Sequence, residues 1–239
     1  GICPIIHITN AQNKKYWADA WLDEAFENKD RDALIKRKTR LKAKLFDVVA
    51  DQTGKLFDPN ILTIVWARRF ADYKRPDLIT RDYDRFIKLL SNTKRPVQII
   101  FAGKPYPMDY GAIHNFDNLT HISKNIKNMA VLTGHELKLS RQLKEGADVW
   151  LNNPRVTREA SGTSGMTAAM NGAVNFSTND GWVREFKDLN QTQNSFVLPI
   201  VDHNLTTHQQ DELDLGNLLE MLENEVIPLY YDKPKKWWD

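Results

Sequence analysis

Short, nearly continuous apolar runs recur along the chain, separated by stretches whose apolar positions repeat every three to four residues. Ile61–Trp66, Val97–Phe101 and Met129–Leu132 are runs of the first kind, and Ala147–Leu151 and Val174–Phe176 are shorter ones. Successive side chains of a strand point to opposite faces, so a run without polar alternation suits a strand covered on both sides, as in parallel sheets. Leu34, Leu41, Leu45 and Val48 share one stripe of a helix predicted to start near Asp30. Leu215, Leu218, Leu219, Leu222 and Val226 form another, which Pro228 is predicted to stop. Strand and helix alternating at this spacing predict an α/β fold with a doubly wound, mostly parallel sheet. No internal repeat or low-complexity segment interrupts the pattern.

Composition narrows the class. The 239 residues, 41% hydrophobic and 27% charged, exclude collagen-like, disordered and disulfide-scaffold chains. A formal net charge of +2 gives no global field that would draw nucleic acid or a membrane surface. Cys3 is the one cysteine, which excludes an internal disulfide and a cysteine-based metal site and suits a reducing, cytoplasmic compartment. No apolar run reaches membrane-spanning length and no signal peptide is legible. The start at Gly1 reads as a piece cut from a longer protein. Between Lys29 and Lys44 eight basic residues face two acidic ones. That stretch is read as the solvated face of an amphipathic helix rather than a nucleic-acid surface, because no stacking aromatics interleave the charges.

Three stretches could carry chemistry. Glu159–Gly172 places two glycines and three hydroxyl residues just before an Ala/Met-rich segment. Such a turn either presents free N–H groups to an anion at a helix start or is a plain Ser/Thr cap. Arg68–Arg75, directly after the Ile61 run, holds four cations at the carboxyl end of a predicted strand, where open α/β sheets bind ligands. The cations fit an anionic ligand, or a solvated loop paired with Asp72 and Asp77. Gly103–Lys104 occupies the corresponding place after the Val97 run. Three such strand ends in one sheet favour an anion crevice. No metal site is expected, because His114, His121, His203 and His208 lack carboxylate or cysteine partners at ligand spacing. Ser161, His135 and Asp180 would assemble a hydrolytic triad only on paper, without a nucleophile-elbow sequence. Trp237–Trp238 reads as an amphipathic chain end rather than a ligand-stacking platform.

Glu159-Ala-Ser-Gly-Thr-Ser-Gly-Met166, followed by Asn171-Gly172 and Asp180-Gly181-Trp182, resembles the cofactor segment of the α-glucan (glycogen/maltodextrin) phosphorylases, closest to their short bacterial and archaeal branch. Arg68-Arg69-x-x-x-Tyr73-Lys74-Arg75 is similar to that family's phosphate segment. Gly103-Lys104, Gly146-Ala-Asp-Val-Trp-Leu-Asn-Asn-Pro154 and Ile227-Pro-Leu-Tyr-Tyr231 match as well, and His7-Ile-Thr-Asn10 looks like the start of its hinge motif. The resemblance implies one half of a GT-B glycosyltransferase: a single C-terminal Rossmann-like domain over residues 1–239, with a hinge-side segment over 1–30, facing an N-terminal domain of a parent chain across a cleft. It implies transfer of a glucosyl unit between an α-1,4-glucan and phosphate, giving glucose 1-phosphate, with pyridoxal phosphate acting through its phosphate group. By position, Asn10, Glu159, Ser161 and Gly162 would contact the glucosyl hydroxyls. Arg68, Gly162 and Thr163 would hold the cofactor phosphate, and Arg69 and Lys74 the substrate phosphate.

The chain also departs from the family. Directly after Gly-Met, where the family has the lysine that forms the Schiff base to pyridoxal phosphate, this chain has Thr167, whose hydroxyl cannot form an imine. Covalent cofactor attachment is therefore expected to be absent. Thr133-Gly134-His135 replaces the family's Glu-Asn-Tyr, and Asn10-Ala11-Gln12-Asn13 replaces Asn-Gly-Val-His. Departures confined to the cofactor and hinge suggest a degenerate site, so a non-catalytic glucan- or sugar-phosphate-binding protein on the same scaffold is the alternative. The nucleotide-sugar branch of the fold, such as the glycogen synthases, carries a second glutamate where this chain again has Thr167.

Overall fold

The computed structural model describes residues 3–4, 6, 8–134, 136–187 and 194–239. Six strands form one sheet: β1 (Leu62–Ala67), β2 (Val97–Gly103), β3 (Met129–Thr133), β4 (Val149–Asn152), β5 (Val174–Ser177) and β6 (Ser195–Val197). Every neighbouring pair is parallel, and the spatial order is β3-β2-β1-β4-β5-β6. This is a Rossmann-like arrangement, and its strand order reverses between β1 and β4. Five of the strands are the predicted apolar runs. The sixth, β6, spans only three residues with one of them buried, too little to stand out as a run.

Helices cover both faces. α1 (Lys14–Trp17), α2 (Ala20–Glu27) and α3 (Arg31–Thr53) precede the sheet; α4 (Tyr83–Leu90), α5 (Tyr110–Lys124), α6 (Leu137–Gly146), α7 (Ser164–Ala169) and α8 (Val183–Phe186) connect its strands; α9 (Thr207–Met221), α10 (Ile227–Asp232) and α11 (Pro234–Trp238) follow it. Asp19, Asp30, Asp82 and Asp109 cap α2, α3, α4 and α5, each accepting from a backbone N–H three residues on. Alternate strand residues feed two buried clusters. Ile64, Trp66, Ile99, Phe101 and Leu151 pack with α4, α5 and α9, whereas Val65, Ile100, Ala102 and Trp150 pack with α3, α6 and α7. Among the described residues no helix is long and apolar enough to cross a membrane.

Three readings of the periodicity need correction. The buried stripe of α3 runs through Lys38, Leu41, Lys42, Leu45, Phe46 and Val49, leaving Leu34 and Val48 only partly covered. The basic stretch is therefore not simply a solvated face: Lys38 and Lys42 are 1% and 2% exposed. The Lys42 ammonium pairs with Asp148 and donates to Ile61 O at 2.7 Å, and Lys38 donates to Asn171 O at 2.8 Å. Their long stems complete the stripe while their heads find acceptors at the sheet, as buried charges require. Pro228 does not stop the C-terminal helix either. A π-helical turn over Leu222–Val226 resets the register, so Pro228 enters the first turn of α10, where its missing N–H is not needed. Trp237 folds back on the core, edge-on to Tyr230 with ring centroids 5.1 Å apart.

Candidate functional site

The loops after β1 and β4 meet where the strand order reverses, the place at which open α/β sheets take ligands. After β1 the Arg68 N–H donates to Ala102 O at 3.0 Å. A Cβ on Gly103 would lie 2.0 Å from Arg68 O, so only glycine lets the two strand ends approach this closely. Phe70 is buried against Trp66 and Phe116, ring centroids 5.0 and 5.1 Å away. That anchor leaves Arg68 directed inward and Arg69 exposed on either side of the alternating backbone. A 3-10 turn over Asp72–Lys74 then brings Lys74 back over the sheet.

The second wall follows β4. Asn153 accepts from Trp66 Nε1 at 2.8 Å and donates to Arg75 O at 2.9 Å, tying the two strand ends together. The Glu159 N–H donates to Asp180 Oδ2 at 3.0 Å, and the Trp182 N–H to Ser161 O at 2.9 Å. A Cβ on Gly181 would fall 2.4 Å from Ser161 O. Asp180-Gly181-Trp182 is thus the clamp that shapes the Glu159–Gly162 turn. A plain cap is not what the turn makes: Thr163 occupies the cap position of α7 without a side-chain capping hydrogen bond.

The charges meet on one carboxylate oxygen. Arg68 Nη2 lies 2.9 Å and Lys74 Nζ 3.0 Å from Glu159 Oε2. Among the described residues Arg68 Nη1 is buried with no partner. Burial pushes the Glu159 carboxyl up, but Arg68 and Lys74 more than offset it and hold it below the usual carboxylate range. Burial lowers the Arg68 guanidinium, and Glu159 restores part of the loss. Arg68 and Lys74 thus face two carboxylates, Glu159 and the Asp180 that holds the Glu159 N–H, and the further cations at these strand ends, Arg69 and Lys104, are exposed. Glu159, Arg68, Lys74 and Gly162 come together, the position of a Cβ on Gly162 lying 3.3 Å from Glu159 Cγ.

The other predicted residues are placed differently. Arg75 is 0% exposed and pairs with Asp211 and Asp214, so it is withdrawn from any ligand and the crevice keeps three of its four expected cations. Asn10 lines a separate groove of about 540 Å³ with Gln12, Met166 and Trp182, which lacks Arg68, Lys74 and Glu159. His7 and His135 lie outside the described residues. Among the described residues no group of three or more His, Cys, Asp or Glu is placed to hold a metal ion. Asp211, Asp214 and Arg155 were not singled out from the sequence. The signal was present: Asp211 and Asp214 continue the buried stripe of Leu218 and Leu219 toward the start of α9, and carboxylates on such a stripe demand cations.

Pyridoxal phosphate fits this set only in part. Thr163 and the spare Arg68 Nη1 suit a phosphate group. The aldehyde end has no amine at 167: Thr167 is 1% exposed and its Oγ1 donates to Ser164 O at 3.0 Å. The cavity bounded by Arg68, Gly103, Gly134, Leu139 and Ser140 measures about 30 Å³, room for a water rather than an aromatic ring. The residues therefore do not fit the covalently held cofactor.

Comparison with known proteins identifies the family to which the sequence is similar. A family model described as carbohydrate phosphorylase matches residues 9–224. An uncharacterized protein of Methanocaldococcus jannaschii is 43% identical over 236 residues, covering 99% of this chain and 43% of the relative. The maltodextrin phosphorylase of Thermococcus litoralis is 38% identical over 207 residues, 85% of this chain and 24% of the relative. A glycogen phosphorylase of Mycobacterium tuberculosis is 38% identical over 189 residues, 76% of this chain and 22% of the relative. The chain thus spans less than half the length of these relatives.

Proposed function

The chain belongs to the carbohydrate phosphorylase family, and from that premise we propose that it is the single C-terminal Rossmann-like domain of an α-glucan phosphorylase-like glycosyltransferase of GT-B type. The parent protein transfers a glucosyl unit between an α-1,4-glucan and phosphate in the cytoplasm, an oxygen of phosphate replacing the glycosidic oxygen at the anomeric carbon. The observation that carries this reading is the convergence of Arg68 and Lys74 on Glu159 at the switch point of the sheet. A phosphate entering there meets Lys74, the exposed Arg69 and the uncapped first turn of α7. Each charge-assisted hydrogen bond contributes about 1.5–3 kcal/mol net. After association costs, two or three such bonds correspond to millimolar affinity, about 4 kcal/mol. Glu159, Ser161 and Gly162 orient the glucosyl hydroxyls beside that anion, with Glu159 kept ionised by its two cations. Asn10 reaches the sugar's primary hydroxyl only when the hinge-side segment moves toward the crevice, since it now lines a different groove.

Thr167 favours a second reading, a parent that binds glucan or sugar phosphate without turning it over. The N-terminal domain of the parent is the partner in both. Glucose 1-phosphate release from maltodextrin and phosphate, measured on the full-length parent, separates them. Turnover supports the transferase; binding of phosphate and glucan without turnover supports the second reading.

A further inference from the structure

One carboxylate on α9 moors both loops that carry the crevice charges. Asp211 Oδ1 accepts from Arg75 Nη1 and Arg155 Nε, both at 3.0 Å. Its Oδ2 accepts from Arg155 Nη2 and Arg81 Nη1, each at 2.8 Å. Asp214, one turn further along, sits 2.7 Å from Arg75 Nη1. Arg75 spends its remaining donors on the loop after β4, giving Nε to Asn153 O at 2.9 Å and Nη2 to Pro154 O at 3.0 Å. Arg155 returns the link: its N–H donates to Tyr73 O at 2.8 Å and its guanidinium reaches Asp72. The bonds therefore run from α9 to Asp72–Arg75 on one side and to Asn153–Arg155 on the other.

The backbone shows what this mooring holds. Arg75 has φ 49° and ψ 60°, the left-handed region that a long side chain seldom occupies unless its surroundings over-determine it. The residue immediately before it is Lys74, whose ammonium ends on Glu159, and Glu159 follows Arg155 by one short loop. Apolar packing of equal volume would stabilise a core as well as buried ion pairs do, but it would not fix this direction.

We propose that Asp211 is a positioning residue: through Arg75 and Arg155 it sets the separation of Lys74 from Glu159, and so the crevice's affinity for phosphate. The proposal rests on reading the crevice as a phosphate site.

Two readouts on the 239-residue chain keep the proposal and that reading apart. One is the affinity for inorganic phosphate; the other is the titration of the Glu159 carboxyl by carbon NMR, set by Arg68, Lys74 and Asp180 around it. Asp211→Asn, checked for a native amide spectrum, is expected to weaken phosphate by about tenfold or more, the scale on which outer-shell partners act. The Glu159 carboxyl is expected to titrate higher as Lys74 loosens. Asp72→Asn, whose side chain is 83% exposed, should move both readouts the same way by less, and it decides the matter if Asp211→Asn does not fold. Arg85→Met, which breaks a surface pair with Glu223 elsewhere on the same face, should move neither. A folded Asp211→Asn with unchanged phosphate affinity and unchanged Glu159 titration overturns the proposal. If the native chain binds no phosphate, the reading of the crevice fails, and the Glu159 titration alone decides whether Asp211 positions Lys74.

Discussion

Thr167 decides what the crevice can do covalently. A hydroxyl does not condense with an aldehyde to an imine, and this one is already donated to Ser164 O inside α7. Incubation with pyridoxal phosphate, borohydride reduction and intact mass should show no stoichiometric adduct; one adduct per chain, at Lys74, Lys104 or any other lysine, would contradict the assignment. Asp211 makes a second prediction at this scale. Burial pushes its carboxyl up, but Arg155, Arg81 and Arg75 outweigh it and bring it down to about 2. An acid depressed on folding contributes stability that is present above about pH 4 and lost as pH falls toward 2. Urea midpoints measured from pH 5 to pH 2 should fall, and Asp211→Asn should lack much of that slope; parallel curves would contradict it. Thr167, Arg68, Lys74 and Glu159 were legible because their chemistry sits in contiguous motifs. Asp211 was not, since its three arginines come from sequence positions far from it and only the fold brings them together.

The elements were read from periodicity, and periodicity says which face is buried only if the buried face is apolar. In α3 it is not: Lys38 and Lys42 lie on the stripe, which shifted the predicted face by a residue at Val48. Removing the Lys42 head would leave Asp148 a buried charge with Thr63 N–H as its remaining donor at 2.8 Å. Lys42→Met should therefore destabilise the chain by about 3–5 kcal/mol, as broken buried pairs do, while Lys44→Met on the exposed face stays within about 0.5 kcal/mol. Thermal or urea unfolding of both variants checks this; equal effects would return α3 to the solvated-face reading. Pro228 taught a related lesson. A proline ends a helix only when its N–H would be needed, and the π turn before it removes that need. The strands were easier, because five of them are buried on both faces and leave unbroken apolar runs.

At the scale of the whole molecule the sheet order explains why residues so far apart in sequence share one site. β1 and β4 are neighbours with opposite onward directions, so the loops after them face each other across the gap. On the proposed reading of this chain as one half of a cleft, catalysis needs groups held from the other side, and proximity is worth effective molarities on the order of 10⁵ M and above. The 239-residue chain alone should release no glucose 1-phosphate from maltodextrin above a buffer blank. Release at a rate proportional to chain concentration would contradict the half-site account. The central claim, that the crevice takes an anion without a covalent cofactor, is tested most directly by titrating inorganic phosphate into the ¹⁵N-labelled chain at low and at moderate ionic strength. The account predicts saturable shifts of the Gly162–Gly165 amides with millimolar affinity, about 4 kcal/mol, that weakens as salt is added. Still Gly162–Gly165 amides, with shifts confined to remote surface lysines, would contradict it.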